Sequence, residues 1–356
     1  MGIAGKVDPL SLFTSQSPIL QSMALKTIGN QCLSGQQSQT LEIPPAPSAA
    51  GTSDLEVPNT CVMNETTTTT KSFKTFGYRT RTRIGFWNVC TFCDKDCSEH
   101  IISAKFQQLE EEFNRFRLDI LGISETRWLG SGLIKSTSGR SILLFSGDTI
   151  GSKHMAGVGI LLTPQAHKCL MSWNPISNRI ITARFRSRVR SITIVQCYAP
   201  TENAPPNEKD DFYSKLCAVV KNIPKGDITI VMGDLNAKVG PDNEGLKHVM
   251  GTHGLGTRNN NEERFVGFWN SNDLVICGTF FPHFHKLTWL SNDRVTRNQI
   301  DHFTISRRFR SCLMDVRSRP GADIGYQYDH LLVIAQIRFR TTVVFGYESN
   351  SSKAPH

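Results

Sequence analysis

Ile228-Thr229-Ile230-Val231-Met232-Gly233-Asp234-Leu235-Asn236-Ala237 is the stretch on which the fold turns. A short run of β-branched and apolar residues reads as a strand. A buried strand that ends in a carboxylate and an amide delivers rigidly held polar groups to the rim of a sheet. The same plan recurs along the chain. Asn88 ends Ile84-Gly85-Phe86-Trp87, and Glu125 follows Ile120-Leu121-Gly122-Ile123-Ser124. Asp301 follows Asn298-Gln299-Ile300, and Asp329-His330 leads into Leu331-Leu332-Val333-Ile334. Taken singly, each is an ordinary turn former, cap or hydrogen-bonded pair. Five in one chain point to a site assembled from strand ends.

Outward from these, short β-branched runs predict strands over 84–89, 120–123, 142–145, 158–162, 180–185, 192–198 and 228–232. Further strands are predicted over 274–277, 287–289, 299–305 and 331–337. Helical spacing places Ile101, Phe106, Leu109, Phe113 and Phe116 near one face of a helix over 98–116, with shorter helices over 211–223 and 262–270. Many strands, some adjacent and few separated by helices, predict a mixed α+β sandwich rather than a strict βαβ repeat. Residues 1–78 differ in kind. They hold Ser/Gln clusters, Ile43-Pro44-Pro45-Ala46-Pro47 and the threonine tract 66–70, with few aromatic residues. Such a segment cannot offset its ordering entropy by burial, so a mostly disordered tail is expected, with a folded domain over 79–340 and a second tail over 341–356.

The formal net charge is +9 and the pI about 9.1, which favours polyanionic partners and no more. Ten scattered cysteines in a chain this long need no disulfide framework. The sequence opens without a hydrophobic signal, and its apolar runs are far too short to span a membrane. The expectation is a soluble intracellular protein, nuclear or cytoplasmic, with no membrane partner and no small-molecule cofactor.

Trp87-Asn88, Ser124-Glu125-Thr126-Arg127-Trp128, Tyr198-Ala199-Pro200-Thr201, Gly233-Asp234-Leu235-Asn236-Ala237, Thr288-Trp289, Gln299-Ile300-Asp301 and Asp329-His330 together resemble the endonuclease/exonuclease/phosphatase superfamily. Within it they look most like the apurinic-type endonuclease domain of non-LTR retrotransposons and the craniofacial development protein 2-like host proteins. The resemblance covers residues 80–340. It implies a four-layer α/β sandwich, DNase I-like, with two packed mixed sheets flanked by helices. It further implies phosphodiester hydrolysis with Mg²⁺, for which Mn²⁺ could substitute, and DNA as partner.

Such hydrolysis requires a nucleophilic water, a base, and neutralisation of charge on the phosphoryl and leaving oxygens. In the resemblance, Asn88 and Glu125 offer hard oxygens to the metal, and Asp329 is either a metal-side carboxylate or one that supports the ligands from behind. Asp234 orients or deprotonates the water, and Asn236 donates to the phosphate. Tyr198 supports the phosphate or leaving group. His330 stabilises the pentacovalent charge, while Asp301 holds its tautomer. Which residue is the true base stays open.

Other features have two readings each. Arg184, Arg186, Arg188 and Arg190 alternate about an expected hairpin tip, either a phosphate-contacting finger, with Arg186 and Arg188 on nucleic acid, or a solvated turn. Trp289 either stacks a nucleobase or joins the core. Cys90, Cys93, Cys97 and His100 mimic a zinc spacing, but with no second cysteine cluster nearby free thiols are expected. Tyr328 stands where the family usually has Ser, and His302 where it usually has Tyr. No reverse-transcriptase region follows, so autonomous retrotransposition is not expected. The rival functions are a weakened relic kept as a DNA- or protein-binding module and, behind it, a phosphatase of the same fold.

Overall fold

The computed structural model describes residues 81–92, 104–149, 155–257, 260–291, 293–324 and 329–339. The expected tails at 1–78 and 341–356 lie outside them, as do Tyr328, Ile101, Cys93, Cys97 and His100. In chain order the elements are β1 (Thr82–Asn88), α1 (Ala104–Arg115), β2 (Ile120–Ser124), β3 (Ser131–Lys135), β4 (Ile142–Ser146) and β5 (Val158–Leu162). Then come α2 (Pro164–His167), β6 (Leu170–Ser177), β7 (Ile180–Phe185), β8 (Ile192–Tyr198), α3 (Pro206–Lys221), β9 (Ile228–Asp234), α4 (Asn260–Ser271) and β10 (Leu274–Ile276). The last are β11 (Trp289–Leu290), β12 (Arg297–Asn298), β13 (Asp301–Ser306), β14 (Leu313–Arg319) and β15 (Leu332–Ile337).

Strands that read as uninterrupted apolar runs are buried on both faces, and this decides the layering. One sheet runs β14-β15-β1-β2-β5-β4-β3 and the other β10-β13-β9-β8-β7-β6. Between them lies a core of Ile84, Phe86, Val158, Ile160, Ile181, Ile194, Ile230, Met232, Phe303 and their neighbours. The outer face of the first sheet is covered by α1 through Phe106, Leu109 and Phe113. The outer face of the second is covered by α3 and α4 through Phe212, Leu216, Phe265 and Trp269. Helix, sheet, sheet and helix make the four layers that the motifs imply. Phe113→Ala should cost about 3–5 kcal/mol, because a ring is removed from a seam that cannot collapse. Chemical denaturation checks this, and a loss below about 1 kcal/mol would show that α1 is not an integral layer.

Several elements depart from the sequence reading. Helix α3 begins at Pro206 rather than at 211, since proline with its φ already helical suits a first turn. Strands β3, β6 and β14 were not anticipated. All three are sheet edges, and β6 carries Pro175 at a register irregularity. Edge strands need little apolar sequence, and proline is tolerated there.

Two parallel pairs aim the site. In β1–β2, Asn88 registers with Ser124, and in β8–β9, Tyr198 registers with Asp234. Strand β13 starts where β9 stops, with Asp301 opposite Asp234. The chemistry-bearing strand ends therefore gather at one pole. Gly233, at φ +153, lets β9 approach β8 just before Asp234; a Cβ there would lie 1.8 Å from the Cys197 carbonyl oxygen.

Candidate functional site

His330 is held from three sides. Its carbonyl accepts from Trp87 Nε1 at 3.0 Å, and its backbone bridges to Trp289 across an antiparallel contact. Its Nδ1 lies 3.0 Å from Asp301 Oδ2 and 3.2 Å from Oδ1. Asp301 is fixed in turn, because the Thr288 hydroxyl accepts from its backbone N–H at 3.1 Å and from that of Ile300 at 3.0 Å. This leaves Nε2 facing the site, 3.7 Å from Asp234 Oδ2 and 4.0 Å from Asp329 Oδ1. Burial opposes a charge on this imidazole, but Asp301, Asp234 and Asp329 outweigh it and push the pKa up to about 10. Burial, then repulsion from Asp301, raises Asp234 to about 7, with His330 and the donors Asn236 and Asn88 pulling the other way.

Asn88 is completely buried among these acids. Its Nδ2 donates to Glu125 Oε1 at 2.9 Å and Asp234 Oδ2 at 3.1 Å, while its Oδ1 accepts the Cys90 backbone N–H at 3.0 Å. The amide face turned to the site is thus the donor face, because two carboxylates lie on that side. The metal role expected of Asn88 needs its oxygen, which is turned to Cys90 instead. Glu125 stands at φ +58 and Arg127 at φ +54, a left-handed kink that brings Arg127 Nη2 back to Glu125 Oε2 at 2.8 Å.

Tyr198 closes one wall. Burial, with Glu125 and Asp234 beside it, pushes its hydroxyl well above the usual phenol range, so it stays a donor. Arg179 lies 5.0 Å from its ring centroid. Asn236, at φ +48, donates through Nδ2 to the Ala199 carbonyl at 3.0 Å, and its backbone N–H caps Asp234 Oδ1 at 3.0 Å. The loop carrying it is pinned by His302, whose Nε2 lies 2.7 Å from the Ala237 carbonyl oxygen and whose ring sits 4.8 Å from that of Phe265. Burial holds the His302 pKa down, so the neutral ring donates there.

On the opposite wall, Asp329 Oδ2 accepts from Trp289 Nε1 at 2.8 Å and Oδ1 accepts from the Cys90 thiol at 2.9 Å. Trp289 is half-buried at the rim rather than in the core. Burial favours the neutral acid of Asp329, but the His330 charge and these two donors hold its pKa below the ordinary value. Together Glu125, Tyr198, Asp234, Asn236, Trp289, Asp329 and His330 line a cleft of about 400 Å³, with Glu202, Lys238 and Asn298 at its edge.

The expected residues Asn88, Glu125, Tyr198, Asp234, Asn236, Trp289, Asp301, Asp329 and His330 are therefore brought together. Arg186 and Arg188 are not. They follow β7 and precede β8, whose far end carries Tyr198, so seven strand residues, roughly 20 Å, separate them from the cleft. An alternating arginine run marks a hairpin, but only the strand direction says at which pole it falls. Sequence reasoning also missed Arg127, Arg179, Thr288 and Cys90 as neighbours of the site. Arg127 lay inside a motif already singled out, whereas Arg179 had no local signal.

The sequence pattern of the Endonuclease/Exonuclease/phosphatase family matches residues 85–330, which span every one of these strand ends. The chain belongs to that family. It is 33% identical over 263 residues to craniofacial development protein 2 of Bos taurus, covering 73% of this chain and 42% of that protein. It thus spans less than half the length of the curated relative it matches. A 3′-5′ exonuclease from Neisseria meningitidis shares the fold at TM-score 0.54 and 17% identity, over 72% of this chain and 99% of that one. An AP endonuclease from Leishmania major does so at 0.53 and 13%, over 72% and 88%. The superfamily resemblance and the DNase I-like sandwich are borne out.

The donor set fits a hard divalent cation such as the family generally uses. Glu125 and Asp329 present carboxylate oxygens at the cleft, and the Glu125 oxygens, which accept from Asn88, Arg127 and the Tyr198 hydroxyl, keep acceptor capacity where a carboxylate accepts about four in all. Asp234, Asp301 and His330 form a tighter group, their nearest ligand atoms within 4.8 Å of one another, but they are engaged with each other. No helix among the described residues is long and apolar enough to cross a membrane.

Proposed function

We propose that the cleft hydrolyses phosphodiester bonds in DNA, nicking internally to leave a 3′-hydroxyl, and that the domain is of retrotransposon descent. The observation that carries the proposal is the buried line Asp301–His330–Asp234–Asn88, which ends at Glu125 on the cleft. Glu125 and Asp329 would hold Mg²⁺, or Mn²⁺ in its place; the cation supplies charge neutralisation on the phosphoryl and leaving oxygens. Asp234 Oδ2 takes the proton of the attacking water. His330 Nε2, kept cationic by its acids, faces the charge that grows on the phosphorus oxygens. Tyr198 donates its hydroxyl to the phosphate, and Asn236, capped onto Asp234, keeps that carboxylate aimed. Asn88 acts as a donor that orients Glu125 and Asp234. Trp289 offers its ring edge to a base at the rim. DNA is favoured as the polymer because an exonuclease and an AP endonuclease share the scaffold.

Supercoiled plasmid incubated with the full chain tests this. Open circles should form with Mg²⁺ and not with EDTA, and the nicks should prime a polymerase without end repair. Undiminished cleavage in EDTA, or ends that block the polymerase, would refute the reading. The Cys90 thiol on Asp329 favours one rival, a weakened relic retained for binding. DNA binding without nicks in any divalent cation would select it.

Activity should rise with pH as Asp234 loses its proton near 7 and fall as His330 loses its own near 10. A bound cation favours the ionised carboxylate and the neutral imidazole, and so draws both limbs downward. These limbs belong to the coupled cluster rather than to isolated groups. In a kcat/KM profile His330→Gln should flatten the alkaline limb and keep the acid one; activity that declines steadily from pH 5 upward would contradict the assignment of Asp234.

A further inference from the structure

The positive charge of this chain is not concentrated where its chemistry is. The cleft is lined by Glu125, Glu202, Asp234 and Asp329 against Lys238 and His330. The opposite pole of the second sheet is different. There the turn between β7 and β8 carries Arg186, Arg188 and Arg190, the turn before β9 carries Lys225, and the segment after β13 carries Arg307 and Arg308, all exposed.

These three segments are neighbours by construction. Strands β7, β8, β9 and β13 are consecutive in the sheet, so their ends form a row of about 15 Å at ordinary strand spacing. Hydrogen bonds tie the row together. Arg190 Nη1 donates to the Gly226 carbonyl at 3.4 Å, and Arg308 Nη2 donates to the Lys225 carbonyl and to that of Asp227 at 3.2 Å. The nearby acids are already engaged. Asp227 is buried and held in a two-point pair by Arg184 at 2.7 and 3.0 Å, with Thr193 also on it, and Asp273 pairs with Arg307 at 2.6 Å. Among the described residues, no carboxylate pairs with Arg188, Arg190 or Lys225.

We infer that this pole is a second phosphate-contact surface that takes the backbone of a DNA duplex, so that one chain holds two segments of DNA. The row is wide enough to reach phosphates on both sides of a groove about 12 Å across. The ring nearest the row, Phe309, is partly buried and covered by the Arg308 guanidinium at 4.7 Å, so the surface suits a duplex rather than splayed single strands. Its cations stand on exposed turns beside, and not inside, the cavity of about 490 Å³ that Arg184 and Pro224 line, so contacts are to backbone and independent of sequence. The inference rests on the cleft also taking DNA, but it can fail separately.

The test is a titration of the full chain with a fluorescent 12-base-pair duplex in EDTA. Two duplexes per chain are expected for the native protein, and one for the combined variant Arg188→Gln, Arg190→Gln and Lys225→Gln, all exposed positions that folding should tolerate. The variant's log K against log salt should be shallower by about 2–3 for the lost site, roughly 0.9 for each phosphate contact removed. A native stoichiometry of one that the variant loses would remove DNA from the cleft, whereas a native stoichiometry of one that the variant keeps, or a variant with unchanged stoichiometry and slope, would overturn the inference. So would loss of binding to phosphatidylserine vesicles with the DNA stoichiometry unaltered, which would assign the row to a membrane. Two duplexes bound with no plasmid nicked under any divalent cation would leave the second surface standing and remove the hydrolytic reading.

Discussion

His330→Ala is expected to lower the turnover of plasmid nicking by about a thousandfold, with little change in DNA affinity. The imidazole is inside the site at 5% exposure, and with Nδ1 on Asp301 its Nε2 is the edge turned to the site, 3.4 Å from Asn88 Nδ2. Such a group interacts with the charge that develops in the transition state more than with the ground-state diester. Removing one preorganised donor of that kind costs roughly 10²–10³ in kcat. Here the loss should reach the upper end, because the substitution also leaves Asp301 and Asp234 buried without the cation that lies between them. The two causes separate in an Asp301→Asn variant. That variant keeps the imidazole but removes its charge partner, and should lose less activity while shifting the alkaline limb to lower pH. A His330→Ala protein within tenfold of the native rate, with its fold intact by circular dichroism, would remove His330 from the chemistry.

Glu125→Ala is expected to reduce nicking by at least about a hundredfold, since a metal clamp contributes several kcal/mol to the transition state. Two arrangements make Glu125 hard to replace. Its backbone sits in the left-handed region, so its side chain leaves β2 at an angle that the neighbouring strand residues cannot reproduce. Its two oxygens are oriented by separate donors, Asn88 on one side and Arg127 on the other. Glu125→Gln would keep the size but place an amide nitrogen against one of those donors, and should recover little. Calorimetric titration with Mn²⁺ provides a measurement apart from turnover, with weakened binding expected in Glu125→Ala. Full cleavage at saturating Mg²⁺ would exclude Glu125 from the mechanism. Arg127→Ala should be milder, because its guanidinium is partly exposed and solvent replaces much of the pair.

Legibility in the sequence followed burial. Strands β1, β2, β5, β8, β9 and β15 lie inside their sheets, so both faces demand apolar residues and the run shows in the sequence. Strands β3, β6 and β14 lie at edges, where one face and one ladder go unpaired, and SGLIK, LMSWNPIS and LMDVRSR carry no such demand. The site followed a similar division. A polar residue at the end of an apolar run is visible one position at a time, which is how Asn88, Glu125, Asp234, Asp301 and His330 came to notice.

By itself the sequence determined that strand ends carry the chemistry, which residue types stand there, and that the chain builds a layered sandwich. Those are local properties, set by side-chain period and by what each run must bury. The tertiary structure alone decided that Asn88 turns a nitrogen rather than an oxygen to the acids, that Cys90 caps Asp329, and that Arg179 stands over Tyr198. It alone decided, too, that the arginine hairpin falls at the pole away from the cleft. Each of these depends on strand direction and on partners far apart in the chain, as with Trp87 and His330, which are 243 positions apart. No window along the chain contains such a pair, because sheet packing, not sequence proximity, brings the two groups within hydrogen-bonding distance.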